Sequence, residues 1–248
     1  MTYRYVKAPP GYQLESPITL GKRLRYGLSL SFLTLGISIF TTVAYPLVSY
    51  QLMYAPRFQK TELVSPLTQS TIQQVRADDT PTFVDEVVNT ALDYTDSTTW
   101  FAGNSKIGNK ASQNLISTLS IPKLSIDRAV VRSDHTDLKQ SLIQYPGTAM
   151  PGDLGNTVIF GHSVLPQFFN PQNYLTIFST LHRLGVGDTM EIASDGASYT
   201  YRIVDMYETT PDDLSPLAQT YGGRYLTLIT CTPPGTYLRR LIIRAQII

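Results

Sequence analysis

Three side chains of this sequence have the chemistry for nucleophilic acyl transfer, and the first is a cysteine. Cys231 ends the apolar run 225–230, and Pro233 and Pro234 follow it. Proline cannot donate a ladder hydrogen bond, so we expect a strand to stop there and to present the thiol at a sheet rim. A free cysteine is also commonly a plain core residue, so the local sequence leaves both interpretations open.

The second side chain is His162, which follows the short apolar run 158–160 and Gly161. A thiol nucleophile needs a proton carrier, and histidine is the usual one. Gly161 would allow another backbone to approach closely. Of the other two histidines, His135 lies in a polar turn, where a solvated surface position is expected. His182 lies in a helical or looped insertion, where a surface position and a functional one are equally plausible. By itself, the local pattern also fits a structural or surface His162.

The third is Arg240, in an alternating run near the C-terminus. Alternation places Arg240, Ile242 and Arg244 on one strand face and Arg239 on the other. Charge on the outer face of a sheet is the simplest interpretation. A fixed cation that stabilises an oxyanion is the functional one, and arginine suits it because it stays protonated and offers several donors.

The elements that must position these residues are predicted to be short strands separated by turns. A short helix is expected at 137–144, and Asn170 followed by Pro171 predicts a second helix start. The even spacing favours a closed or nearly closed β-barrel in a mostly β domain. Seven strands are predicted, at 115–121, 126–132, 157–160, 189–193, 199–207, 224–230 and 238–247.

An uncharged, largely apolar stretch between Tyr26 and Pro56 predicts one transmembrane helix, over residues 26–54. A buried core helix and a cleaved signal peptide are the alternatives. Basic residues are concentrated in segment 1–25, which predicts a cytoplasmic N-terminus and an extracytoplasmic remainder. Residues 55–114 are then a stalk or linker, with one amphipathic helix at 83–92, and 115–248 form the catalytic domain.

The amino-acid composition argues against several classes of function. With 20 basic and 19 acidic side chains, the chain lacks the charge excess typical of nucleic-acid binding. Its single cysteine excludes an internal disulfide framework and a cysteine-rich zinc site. Asp212 and Asp213 suggest a calcium site only weakly, because paired acids on a loop are usually solvated. The sequence indicates no cofactor.

Together these residues resemble the sortase family. Residues 227–231, TLITC, are similar to its TLxTC signature, and residues 145–162 to its PGT…PG…GN…GH block. Arg240 follows Cys231 by the spacing that the family uses. The resemblance covers about residues 118–248, and the predicted anchor and stalk fit the family's common architecture.

The resemblance implies an eight-stranded β-barrel and a cysteine transpeptidase. Cys231 would attack a carbonyl in an LPxTG-like sorting motif near the C-terminus of a secreted protein, forming a thioacyl-enzyme. His162 would protonate the leaving amine, and Arg240 would hold the oxyanion or the motif backbone. Thr230 and Ser163 are predicted to contact the substrate.

The partners implied are secreted proteins and an amine acceptor, either a cell-wall peptide or a pilin lysine. A housekeeping and a pilus-building subclass both stay open, and so do a thiol hydrolase and a catalytically silent peptide-binding module. Some pilus-building sortases carry an Asp-Pro-aromatic lid. Residues 96–101 are the nearest candidate here and lack that spacing, so the sequence does not predict a lid.

Overall fold

The computed structural model describes residues 20–58, 93–101 and 116–248. The helix predicted at 83–92 lies outside the described residues. The chain forms two compact units, Met1–Tyr45 and Pro46–Ile248. The described part of the first unit belongs to helix α1 (Leu20–Met53), whose apolar stretch Leu24–Met53 is long enough to cross a membrane. The second unit contains the end of α1, the short helix α2 (Ala55–Phe58) and all eight strands.

The eight strands close into a barrel, as the sequence predicts, in the order β1-β2-β3-β4-β7-β8-β6-β5. Two of the neighbouring pairs, β2–β3 and β4–β7, are parallel, and the others are antiparallel. The strands are β1 (Ile116–Ile121), β2 (Ile126–Arg132), β3 (Leu142–Gln144), β4 (Gly155–Phe160), β5 (Thr189–Ser194), β6 (Ala197–Thr209), β7 (Arg224–Thr232) and β8 (Arg239–Ile247).

Burial along the strands follows from their positions in the barrel. β5 alternates between exposed and buried positions, so one face packs on the core and the other meets solvent. β4 is buried at every position, and all but the first two residues of β7 are buried. Parallel strands require both faces to be covered, and the β4–β7 pair fulfils this requirement. The carboxyl end of this buried pair carries Cys231 and leads directly to His162.

Two helices predicted from the sequence are wrong. In the region 137–144, Asp137 forms an isolated β-bridge with Asp96, residues 138–141 are turn and bend, and the last three residues form β3, paired with β2 and β4. At the second position, the Asn170 side chain accepts a hydrogen bond from the Gln172 backbone N–H, and Asn173 does the same for Leu175. These side-chain turns compete with helix formation, so residues 170–180 stay in turns.

Candidate active site

Cys231 and Arg240 are direct cross-strand partners in the antiparallel β7–β8 pair. Partners of this kind project from the same face of the sheet with their Cβ atoms about 5 Å apart. Each residue is 1% exposed, and the thiol is free. The strand-end position predicted for Cys231 is confirmed, since β7 ends at Thr232. Strand pairing therefore sets a permanent cation beside the buried sulfur.

His162 lies two residues beyond β4, at the edge where Cys231 lies. The parallel register pairs Phe160 with Ile229, and two further residues bring His162 level with Cys231. The Nδ1–H group of His162 donates a 2.7 Å hydrogen bond to the Leu175 carbonyl, which fixes the ring. The other ring nitrogen, Nε2, is buried and has no hydrogen-bond partner among the described residues. Nε2 is therefore the nitrogen available for proton transfer.

Two buried hydroxyls join the histidine segment to the cysteine segment. Thr230 donates a 2.8 Å hydrogen bond to the carbonyl of Gly161, and Ser163 donates one of 2.8 Å to the carbonyl of Cys231. These bonds cross between β7 and the end of β4 on both sides of His162. The geometry gives Thr230 and Ser163 a holding role, and the substrate contact predicted for them stays a prediction.

Gly161 permits this close arrangement. A Cβ atom at this position would lie 2.2 Å from the ring of Phe178 and 2.7 Å from a methyl group of Leu142. The sequence suggested that a backbone approaches Gly161, whereas the close neighbours are side chains. The Phe178 backbone N–H also donates a 3.1 Å hydrogen bond to the His162 carbonyl. Phe178 thus fixes the backbone of Gly161 and His162.

Residues 93–101, named here the cover segment, pack against this constellation. The carbonyl of Trp100 accepts hydrogen bonds from Nε and Nη2 of Arg240, at 3.0 and 2.7 Å. The indole of Trp100 is fully buried against Phe160, and it belongs to the same apolar cluster as Cys231. The sequence does not predict a lid. The nearest candidate for one, residues 96–101, nevertheless binds Arg240, the residue predicted to hold substrate.

Further contacts hold the cover segment at and just before the start of its short 3-10 turn, Ser97–Trp100. The Ser97 N–H donates to the Thr136 carbonyl, and the Leu138 N–H donates to the Thr95 carbonyl. The ring of Tyr94 stacks on that of Tyr237, with centroids 4.0 Å apart. These contacts connect the segment to the loop before β3 and to the loop between β7 and β8.

Burial sets the protonation of the catalytic candidates in this covered state. Desolvation raises the pKa of the Cys231 thiol to about 11, and the charge of Arg240 opposes this rise. Desolvation lowers the pKa of His162, whereas the hydrogen bond to Leu175 and the charge of Asp93 raise it to a smaller extent. At neutral pH the covered site therefore holds a neutral thiol and a neutral imidazole, rather than the ion pair of an activated cysteine.

Sequence reasoning missed Trp100 and Tyr237 as parts of the site. The available signal was composition, because Trp100 is the chain's only tryptophan and stands in a polar stretch. His182, for which a surface position was equally plausible, is buried against the rings of Tyr50 and Tyr54. No cluster of three or more potential metal ligands occurs within residues 20–58, 93–101 and 116–248, and Asp213 instead bonds to Thr209 and Ser215.

Comparisons with known proteins agree with the geometry. A family model described as "Sortase domain" matches residues 119–248. Sortase A of Streptococcus agalactiae is 26% identical over 139 residues, covering 55% of this chain and 55% of the relative. Sortase A of Bacillus anthracis is 23% identical, covering 55% of this chain and 61% of the relative. The chain therefore spans little more than half the length of these curated relatives.

Among solved structures, a sortase D5 transpeptidase from Clostridium perfringens is similar. It is 28% identical, with 55% of this chain and 81% of that chain covered, and the TM-score is 0.46. The family match takes in every strand of the barrel beyond the first residues of β1, together with His162, Cys231 and Arg240. This chain belongs to the sortase family.

Proposed function

We propose that this protein is a membrane-anchored cysteine transpeptidase. It cleaves an LPxTG-like sorting motif near the C-terminus of secreted proteins and transfers the acyl group to an amine of the cell wall or of another protein. The observation that carries the proposal is the meeting of three groups at one edge of the β4–β7–β8 sheet. Cys231 and Arg240 are paired across β7 and β8, and the unpartnered Nε2 belongs to His162 on the adjoining strand end.

The reaction follows from the chemistry of these groups. The Cys231 sulfur attacks the scissile carbonyl as a thiolate, and Arg240 binds the oxyanion that develops. Collapse of this intermediate breaks the amide bond, and Nε2 of protonated His162 gives its proton to the leaving amine. The acceptor amine then attacks the thioester, neutral His162 takes up the amine's proton, and the Cys231 thiolate leaves.

Activity requires thiolate and imidazolium together, so it depends on the coupled titration of the two groups. The covered site disfavours both charged forms, because desolvation moves both pKa values toward the neutral species. Displacement of the cover segment would hydrate the pair and free the Arg240 donors. A carbonyl of the sorting motif can then take the position of the Trp100 carbonyl.

Anchoring by α1 is the second part of the proposal. Residues 26–45, in the first unit, span about 30 Å as a helix, which matches the hydrocarbon core of a bilayer. The basic residues that precede them favour a cytoplasmic N-terminus and place the barrel outside. On the extracytoplasmic side the barrel can bind the sorting motif of a secreted protein.

The test uses the full chain in detergent micelles with an LPxTG-type peptide, with and without triglycine as acceptor, followed by intact-mass spectrometry. We expect a mass adduct on the wild type that is absent from Cys231→Ala, and a ligated product only when triglycine is present. Hydrolysed peptide without ligated product would favour the hydrolase. No adduct over a panel of sorting motifs, in wild type and in Trp100→Ala, would favour the peptide-binding module.

A further inference from the structure

A second polar constellation lies on the other face of the strand pair that carries the catalytic candidates. Next to Cys231 and Arg240, the residues Thr232 and Arg239 are also direct cross-strand partners. Side chains alternate between faces along a strand, so this pair projects away from the active site. Its partner is Glu208 of β6, whose side chain is only 3% exposed.

Glu208 connects three strands. Its Oε1 atom accepts a 3.0 Å hydrogen bond from the Thr232 hydroxyl, and its Oε2 atom lies 3.5 Å from the Arg239 guanidinium. A carboxylate buried to this degree must have donors, because unpaired charge in the protein interior is costly. Arg239 is half exposed and its contact is long, so these two contacts alone hold the carboxylate weakly.

The remaining donor comes from outside the barrel. Tyr50, in the last turn of α1, donates a hydrogen bond of 2.6 Å to Glu208 Oε1, and the single proton of the Thr232 hydroxyl is shared between the Tyr50 oxygen and Glu208 Oε1. The Tyr50 bond is the shortest contact that Glu208 makes among the described residues. The three oxygens therefore form a bridge that joins a helix residue to the strand residue immediately after Cys231.

The position of Tyr50 is itself fixed by packing. Its ring is 2% exposed and contacts the imidazole of His182 edge-on, with centroids 5.4 Å apart. Tyr54 stacks alongside, and Ala55 and Phe58 are buried in the barrel's core cluster. Residues 46–58, named here the docking segment, thus belong to the packed second unit, and they deliver the Tyr50 hydroxyl at a set position.

We infer that Tyr50 is a positioning residue for the proposed reaction: through its bridge to Glu208 and Thr232, it holds the ends of β7 and β8 in the register that sets Cys231 against Arg240. The inference rests on the proposed function. Loss of the bridge leaves the peptide-binding surface in place but lets the strand end move, so it lowers the rate of the acyl transfer step more than it lowers peptide affinity.

The test compares Tyr50→Phe with the wild-type full chain in detergent micelles. Phenylalanine keeps the ring contacts with His182 and removes only the hydroxyl. Tyr45→Phe is the matched control, because Tyr45 is on the same helix and 71% exposed. The concentration of competent enzyme is measured by active-site titration, so that a smaller folded fraction is not counted as a slower enzyme.

We expect Tyr50→Phe to lower kcat about three- to tenfold, the range for loss of one buried hydrogen bond, with KM changed less than about twofold. Thr232→Val should act similarly, and the double variant should lose no more than the stronger single variant, because both remove one bridge. An unchanged kcat for Tyr50→Phe, or equal effects of Tyr45→Phe, would overturn the inference.

A second readout separates this inference from the proposed function. Alkylation of Cys231 by iodoacetamide needs no substrate, and opening of the strand end should make it about three- to tenfold faster in Tyr50→Phe and leave it unchanged in Tyr45→Phe. If the wild type makes no peptide adduct while alkylation responds in this way, the proposed function fails and the positioning stands. If the wild type is active while alkylation and kcat are equal in the two variants, the proposed function stands and the positioning fails.

Discussion

The guanidinium of Arg240 binds the backbone carbonyl of Trp100 with two N–H groups, at 3.0 and 2.7 Å, and its Nη1 atom donates to the carbonyls of Tyr237 and Arg239. Backbone carbonyls therefore occupy four of the five N–H donors of the candidate oxyanion-binding residue. A substrate carbonyl is chemically the same kind of acceptor. The cover segment thus competes with a peptide for the same donors, and its removal should be measurable at the thiol.

Trp100→Ala should expose Cys231. The indole is fully buried in the cluster that contains the sulfur, and its removal forfeits burial of an aromatic side chain worth several kcal/mol. We expect the variant to react with iodoacetamide at least about tenfold faster at pH 7.5. Hydration should also bring the thiol pKa down from about 11, so the pH profile of alkylation should shift to lower pH.

The control for this experiment is Thr98→Ala, in the same segment at an exposed position. Its alkylation rate should stay close to that of the wild type. If Trp100→Ala and Thr98→Ala react alike across the pH range, the indole does not shield the thiol. Intact-mass spectrometry over time provides the rates for all three proteins.

Lysine should not be able to replace Arg240 in peptide transfer. The planar guanidinium supplies separate donors in a fixed fork, whereas an ammonium is a point charge. Arg240→Lys should therefore lower kcat/KM for peptide transfer about 100- to 1000-fold, as expected for loss of an oxyanion donor. Arg239→Lys, on the opposite face and half exposed, should lose less than about threefold. Equal losses in the two variants would mean that pairing with Cys231 in the β7–β8 register does not distinguish the role of Arg240 from that of Arg239.

Gly161→Ala tests the packing under His162. The added methyl group would lie 2.2 Å from the Phe178 ring, whereas at Gly185 the nearest atom is a carboxylate oxygen 3.9 Å away. We expect Gly161→Ala to lower the free energy of unfolding by about 1–3 kcal/mol, as for overpacking of a core. Gly185→Ala should change it little. Thermal unfolding followed by circular dichroism compares the two, and equal melting temperatures would contradict tight packing at Gly161.

Much of the barrel could be predicted because its strands carry local signals. Strands such as β2 and β5 appear close to their predicted bounds, since apolar alternation and flanking turns are properties of neighbouring residues. β3 was missed because three residues carry too little pattern, and pairing with β2 and β4 decides their conformation. Local propensity yields to tertiary context in such short segments.

The catalytic candidates were recognisable from their types and spacing, but their surroundings were not. Trp100 meets Arg240 across a sequence separation of 140 residues, and Tyr50 meets Thr232 across 182. No periodicity in residues 93–101 or in α1 encodes those contacts. They arise when the barrel presents buried donors and acceptors that segments outside it can satisfy.

His182 makes the stability of the docked state depend on pH. Burial, together with a smaller effect of the nearby Arg183 charge, lowers its pKa to about 4, whereas in the unfolded chain the ordinary value is 6.5. Between pH 6.5 and pH 4, His182 therefore binds a proton in the unfolded chain but not in the folded protein. Stability from this residue is fully present above pH 6.5 and is lost as the pH falls toward 4.

Between pH 7 and pH 4.5, this linkage should cost the wild type roughly 2–3 kcal/mol of unfolding free energy, measured by urea denaturation. Carboxylates also titrate in this range, so the informative quantity is the difference from His182→Phe. Phenylalanine can keep the edge contacts with Tyr50 and Tyr54, whose ring centroids lie 5.4 and 4.6 Å from that of His182, and it carries no titratable group. The variant should lose correspondingly less stability over the same interval. Parallel curves for the two proteins would show that His182 is already hydrated in the folded state, which is incompatible with its burial beneath the docking segment.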